Sequence, residues 1–129
     1  MRKAVFAIVG GLGTIISSQL AEAQRSFAAP RMFQQQGGEA IYRGICQDCH
    51  MADARGATGA GSYPALARNP KLEVAGYPIS VVLNGQKAMP EFGSMLSDQQ
   101  IADVVNFVRS HFGNNFKDQV SAQDIKAAR

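Results

Sequence analysis

The chain has 129 residues, with 13 Lys+Arg against 10 Asp+Glu for a formal charge of +3, and two cysteines. No stretch clusters lysine and arginine with interleaved aromatics, so nucleic-acid binding is excluded as a reading. The length supports one domain with one small core, not two.

Arg2 and Lys3, the apolar stretch Ala4 to Ile16 and the small-x-small site Ala21-Glu22-Ala23 have the layout of an export signal. Residues 1–23 are therefore expected to be cleaved, leaving a mature chain from Gln24. The apolar run of 13 residues, broken by Gly10, Gly11 and Gly13, falls short of the roughly 20 residues that cross a bilayer. No membrane span is expected after cleavage. Losing Arg2, Lys3 and Glu22 leaves 11 basic against 9 acidic residues.

Residues 24–36 contain Pro30 and three consecutive glutamines, with Phe27, Met32 and Phe33 as the only large apolar side chains. They read as an N-terminal arm, either mobile or docked on something. From Gly37 the pattern changes: Ala40, Ile41, Gly44 and Ile45 recur at helical spacing and lead directly into Cys46-Gln47-Asp48-Cys49-His50. Cys-x-x-Cys-His is the motif of covalent haem attachment. Each thiol adds to one porphyrin vinyl group as a thioether, and His50 reaches the iron from the proximal side. A disulfide, a thioredoxin-like redox pair and a zinc site share parts of this pattern. The redox pair calls for a preceding strand rather than a helix, and zinc lacks a fourth ligand, since His111 is the only other histidine. One motif implies one haem. Two propionates bring the charge near zero, and Arg55, Arg68, Lys71 and Lys87 read as scattered surface charge rather than a patch.

Gly56 to Gly61 reads as loop, followed by Ser62-Tyr63-Pro64-Ala65-Leu66, and Asn69-Pro70 opens another ordered stretch. Ile79, Val81, Val82 and Leu83 before Asn84-Gly85 predict a brief glycine-capped helix, with a strand as the alternative. Ser97 and Gln100 predict a capping box. The helix that follows carries Ile101, Val104, Val105, Val108 and Phe112 on one face, places Arg109 and His111 near its favourable negative end, and stops at Gly113. Residues 114–129 are expected to be a tail or a short helix beginning near Ser121.

The ligand opposite His50 decides what such a haem does. Met51 adjoins His50 and cannot reach the other face, and Met32 lies before the first helix. Met89, 39 residues after His50 and followed by Pro90, offers its thioether from a stiff extended loop. Met95, better suited to gap-filling, and His111 remain the alternatives.

Taken together, Gly38, Tyr42, Cys46, Cys49 and His50, the Pro64 and Leu66 loop, the stretch from Asn84-Gly85 to Ala88-Met89-Pro90 with Phe92, and Phe107 in the final helix resemble the class I c-type cytochromes. The resemblance runs from about Gly38 to Gly113, with the cytochrome c domain at 37–113. It implies an all-α fold of three to five short helices wrapped around one covalent haem c. It further implies contact between Gly38 and Phe107, a hydrogen bond from the His50 ring to the Pro64 carbonyl, and a distal Met89 loop. The implied role is a periplasmic mono-haem carrier of single electrons. Its partners would be redox proteins, among them a quinone-, flavin- or molybdenum-dependent dehydrogenase. The alternative is a haem subunit with an open distal site doing peroxide or small-molecule chemistry.

Overall fold

The computed structural model describes residues 33–59 and 61–129. The expected signal at 1–23, most of the arm and Met32 lie outside the described residues. Helix α1 (Gly38–Ile41) runs into a π-helical turn, Tyr42–Cys46, and on into α2 (Gln47–His50). The expected helix before the motif therefore carries a π turn that ends on the first motif cysteine. Such turns recur at functional positions in helices. The backbone then turns through a two-stranded antiparallel hairpin, β1 (Ala57–Thr58) with β2 (Ser62–Tyr63), in the register Ala57 to Tyr63 and Thr58 to Ser62. The glycine-rich sequence predicts a loop here, because a two-residue pairing is too short to leave an alternating pattern.

A 3-10 turn, Pro70–Leu72, follows, with the Asn69 side chain accepting from the Lys71 amide at 3.0 Å. Helix α3 (Gly76–Asn84) contains the Ile79 to Leu83 run and ends on Gly85 at φ 71°, so the helical reading of that run holds over the strand. Helix α4 (Asp98–Ser110) opens with the expected capping box. The Gln100 amide donates to Ser97 Oγ at 3.2 Å and the Ser97 amide to Gln100 Oε1 at 2.9 Å. A cap of this kind is worth about 0.5–2 kcal/mol.

The apolar face of α4, Ile101, Val104, Val105 and Val108, is buried with Ile41, Tyr42, Leu83 and Leu96. Each such side chain contributes about 1.5–3 kcal/mol by leaving water. The end of α4 differs from expectation. His111 is the C-cap, and Phe112, not only Gly113, takes a positive φ of 57°. Its conformation is held because the Arg68 amide donates to the Phe112 carbonyl at 3.2 Å.

Residues 114–129 pack into the same core. Helix α5 (Ala122–Ala128) has its own capping box on Ser121 and Asp124 and packs against α4. Ile125 is completely buried and Val120 nearly so. Asn106 exchanges two hydrogen bonds of 2.8 Å with the Val120 backbone. The end of the arm is also pinned, because buried Gln100 donates to the carbonyls of Phe33 (2.7 Å) and Gln35 (2.8 Å).

Arg109 is the largest departure. Its expected role was a favourable charge near a helix end, yet it is 1% exposed. Nε donates to the Leu72 carbonyl at 2.9 Å, and the Nη groups donate to the Glu73 carbonyl at 2.9 Å and to the Asp118 carbonyl and carboxylate at 2.6 and 2.7 Å. One guanidinium thus joins the 3-10 turn, α4 and the segment leading to α5. No helix among the described residues is long and apolar enough to cross a membrane.

Candidate haem site

His50 ends α2 and is buried. Its Nδ1 lies 3.0 Å from the Pro64 carbonyl oxygen. A carbonyl can only accept, so Nδ1 carries the proton and Nε2 is left with the lone pair that an iron needs. Two features bring Pro64 there. The Gly56 amide donates to the His50 carbonyl at 3.1 Å, and Gly56 sits at φ 67° under the returning strand. A β-carbon at Gly56 would run into the Tyr63 carbonyl and come within 2.8 Å of the Pro64 carbonyl carbon. Only glycine accommodates both that conformation and that approach.

The turn after the motif is strained and held. Met51 has φ 65°, which costs a non-glycine residue about 1–3 kcal/mol. Its amide donates to the Gln47 carbonyl at 2.8 Å, and its carbonyl accepts from the Ala54 amide at 3.1 Å and the Tyr42 hydroxyl at 2.8 Å. Sequence singles out Tyr42 only through the resemblance to the cytochromes; its brace on Met51 joins residues nine apart, and no short motif announces it. Burial pushes the Tyr42 hydroxyl up to about 12, with Cys46 and then Asp53 adding to the shift.

Cys46 is half-buried and Cys49 exposed. Burial first, and Cys49 second, push the Cys46 thiol up to about 12. A thioredoxin-like pair calls for a strand before the motif, whereas here a helix with a π turn leads into it. Among the described residues no cluster of three or more His, Cys, Asp or Glu side chains is placed to hold a metal ion.

Met89 is half-buried and closes a tight turn: Gln86 and Met89 exchange two backbone hydrogen bonds of 3.0 Å. The expected stiff extended loop is therefore a closed turn followed by a return to α3, where the Phe92 amide donates to the Val82 carbonyl at 2.9 Å. Gly85 permits the crossing. A β-carbon there would lie 2.7 Å from the Met89 carbonyl oxygen and 2.9 Å from the Pro90 carbonyl carbon. Met95 follows on the same stretch, its amide donating to the Phe92 carbonyl at 3.0 Å. His111 is engaged elsewhere: Nδ1 is 2.9 Å from the Phe107 carbonyl, and its ring stacks on Phe107 at 4.2 Å. The Gly38 to Phe107 contact is present; a β-carbon at Gly38 would lie 2.5 Å from Phe107 Cβ.

These residues fit haem c by their donor chemistry. Two cysteines stand at helical spacing beside an imidazole whose Nδ1 is held by the Pro64 carbonyl, which leaves Nε2 to face iron. Ile45, Leu66, Val82 and Phe92 are half-buried, packing on the core while keeping part of their apolar surface uncovered.

Comparison with known proteins gives the same answer. The family model described as cytochrome C oxidase, cbb3-type, subunit III matches residues 33–108. The cytochrome c subunit of alcohol dehydrogenase (quinone) from Gluconobacter oxydans (strain 621H) is 38% identical over 110 residues, covering 74% of this chain and 22% of that protein. The gluconate 2-dehydrogenase cytochrome c subunit of Pantoea cypripedii is 36% identical, covering 73% and 24%. Cytochrome c6 of Diacronema lutheri is 32% identical over 82 residues, covering 59% of this chain and 94% of that protein. The chain thus spans less than a quarter of the dehydrogenase subunits it matches and nearly all of the small cytochrome. With the family model spanning more than half of the sequence and the helical fold agreeing, the chain belongs to the cytochrome c family as a class I c-type cytochrome, whose prosthetic group is covalently bound haem c.

Proposed function

We propose that this cytochrome carries single electrons between a dehydrogenase and a downstream acceptor in the periplasm, reached by way of the signal at 1–23. Cys46 and Cys49 hold the haem, His50 is the proximal iron ligand and Met89 the distal one. The observation that carries the reading is the His50 to Pro64 hydrogen bond of 3.0 Å, made by the histidine of the attachment motif. It fixes the ring's orientation and tautomer and makes the free nitrogen more basic. When bound, haem c supplies a one-electron iron couple whose potential the axial ligands and burial adjust. The chain's own residues fix His50 and hold the Met89 turn against Gly85.

The donor we propose is a dehydrogenase that oxidises a hydroxyl-bearing small molecule with a quinone, flavin or molybdenum cofactor. Alcohol, gluconate and fructose dehydrogenases are the enzymes for which relatives of this chain are named. Those relatives are named as cytochrome subunits, none as a peroxidase, and the open-site alternative draws no support from them.

The optical spectrum of the exported ferric protein, before and after Met89→Ala, tests the ligand set. Wild type is expected to be six-coordinate and low-spin, with the weak far-red band of methionine-ligated ferric haem. Met89→Ala is expected to abolish that band and bind carbon monoxide readily once reduced. An unchanged band in Met89→Ala would remove Met89 from the iron. A high-spin wild type would point to an open site instead.

A further inference from the structure

The segment that follows the shared cytochrome core runs antiparallel to α4. Asp118 meets Arg109, Val120 meets Asn106, and Arg129 meets Asp98. Buried Ile125 anchors it in the middle. At its far end the Arg129 guanidinium donates to the Asp98 carboxylate at 2.6 Å, to the Leu96 carbonyl at 3.0 Å and to the Gly93 carbonyl. Two of these three acceptors, Gly93 and Leu96, belong to the stretch that joins Met89 to α4, and the third is the first residue of α4. On its other side the same stretch hangs on α3, where the amides of Phe92 and Gly93 donate to the carbonyls of Val82 and Leu83. Residues 92–96 are thus gripped between α3 and Arg129, three residues beyond Met89.

We infer that Arg129 is a positioning residue for the distal methionine, setting how firmly Met89 holds the iron. The inference rests on Met89 being the distal ligand. A thioether is a weak neutral ligand, and an added nitrogen base competes with it more successfully as the loop carrying it loosens. The planar fork of a guanidinium can serve several oxygens at once, while a lysine ammonium is a single point charge. Arg129 and Asp98 keep only 36% and 30% of their side-chain surface exposed, so the pair is partly shielded from the screening that weakens surface ion pairs.

The test is imidazole titration of the ferric holoprotein, following loss of the far-red band, in wild type, Arg129→Ala, Arg129→Lys and Leu72→Ala. Leu72 is the buried last residue of the 3-10 turn and serves as a variant weakened away from the loop. Arg129→Ala is expected to raise imidazole affinity about fivefold to tenfold, the scale of one partly exposed charged hydrogen-bond cluster. Arg129→Lys should fall between it and wild type, and Leu72→Ala should match wild type despite a lower melting temperature. Wild-type affinity in Arg129→Ala, or an equal rise in Leu72→Ala, would overturn the inference by showing either no coupling or a loss of global stability only. If Met89→Ala keeps its far-red band, the ligand assignment itself fails and takes the inference with it, an outcome distinct from the first two.

Discussion

Replacing Arg109 with alanine is expected to destabilise the protein by about 3–5 kcal/mol, the scale of losing a buried side chain together with several hydrogen bonds made by its charge. For a domain of this size that lowers the melting temperature by roughly 15 °C or more. The expectation follows from what is left behind. The carbonyls of Leu72, Glu73 and Asp118 lose their donors, and a buried acceptor left unpaired costs about 1–3 kcal/mol. Lost burial of the aliphatic stem adds to this. The Asp118 carboxylate contributes less, because it is 69% exposed and can return to water. Arg109→Lys should recover little, since one ammonium cannot reach acceptors on the 3-10 turn and on the segment leading to α5 together. Thermal unfolding of the holoprotein variants measures both.

The same cluster sets an acid limit. The hydrogen bond from Arg109, reinforced by its charge, holds the Asp118 carboxyl below its ordinary value of 3.8. A group whose folded value is depressed stabilises the fold above its unfolded value, and that contribution disappears as pH falls through the folded value. Wild type and Asp118→Asn should therefore differ in melting temperature at neutral pH, with the gap starting to close near about pH 4 and vanishing only below the depressed folded value. A constant gap down to strong acid would detach Asp118 from the linkage.

Gly38→Ala should destabilise by about 1–3 kcal/mol, even though alanine ordinarily strengthens a helix by about 1 kcal/mol over glycine. A methyl at Gly38 would press on the Asp103 carbonyl oxygen and stand 2.5 Å from Phe107 Cβ. Backbone is on one side of the overlap, so relief requires α1 and α4 to separate. Their crossing also orders the ring cluster of Tyr42, Phe107 and Phe112, with centroids 4.9–5.7 Å apart. Separation would loosen the Tyr42 brace beside His50. Gly76→Ala is the control. Gly76 begins α3 with nothing within 4 Å of an added β-carbon, so the same substitution there should be neutral or stabilise by up to about 1 kcal/mol. Opposite signs for the two variants are expected in denaturant unfolding; equal effects would mean that the close approach of α1 and α4 carries no energy.

What was legible in the chain alone is what lies within about one helical turn. The attachment motif, the Ser97 and Gln100 capping box, the apolar face of α4 and the glycine end of α3 are all short-range patterns, because their partners are three or four residues apart. The Gly38 to Phe107 contact and the His50 to Pro64 bond were expected only through resemblance to the cytochromes, since no local spacing encodes them. Arg109 shows the limit most clearly. From sequence it is a cation near a helix end, but its partners lie 9, 36 and 37 residues away, and only the packed chain brings three segments to one guanidinium. Residues 114–129 follow the same rule: their helix start was readable from Ser121, whereas their burial on α4 and the grip of Arg129 on the methionine loop depend on surfaces that exist only after folding.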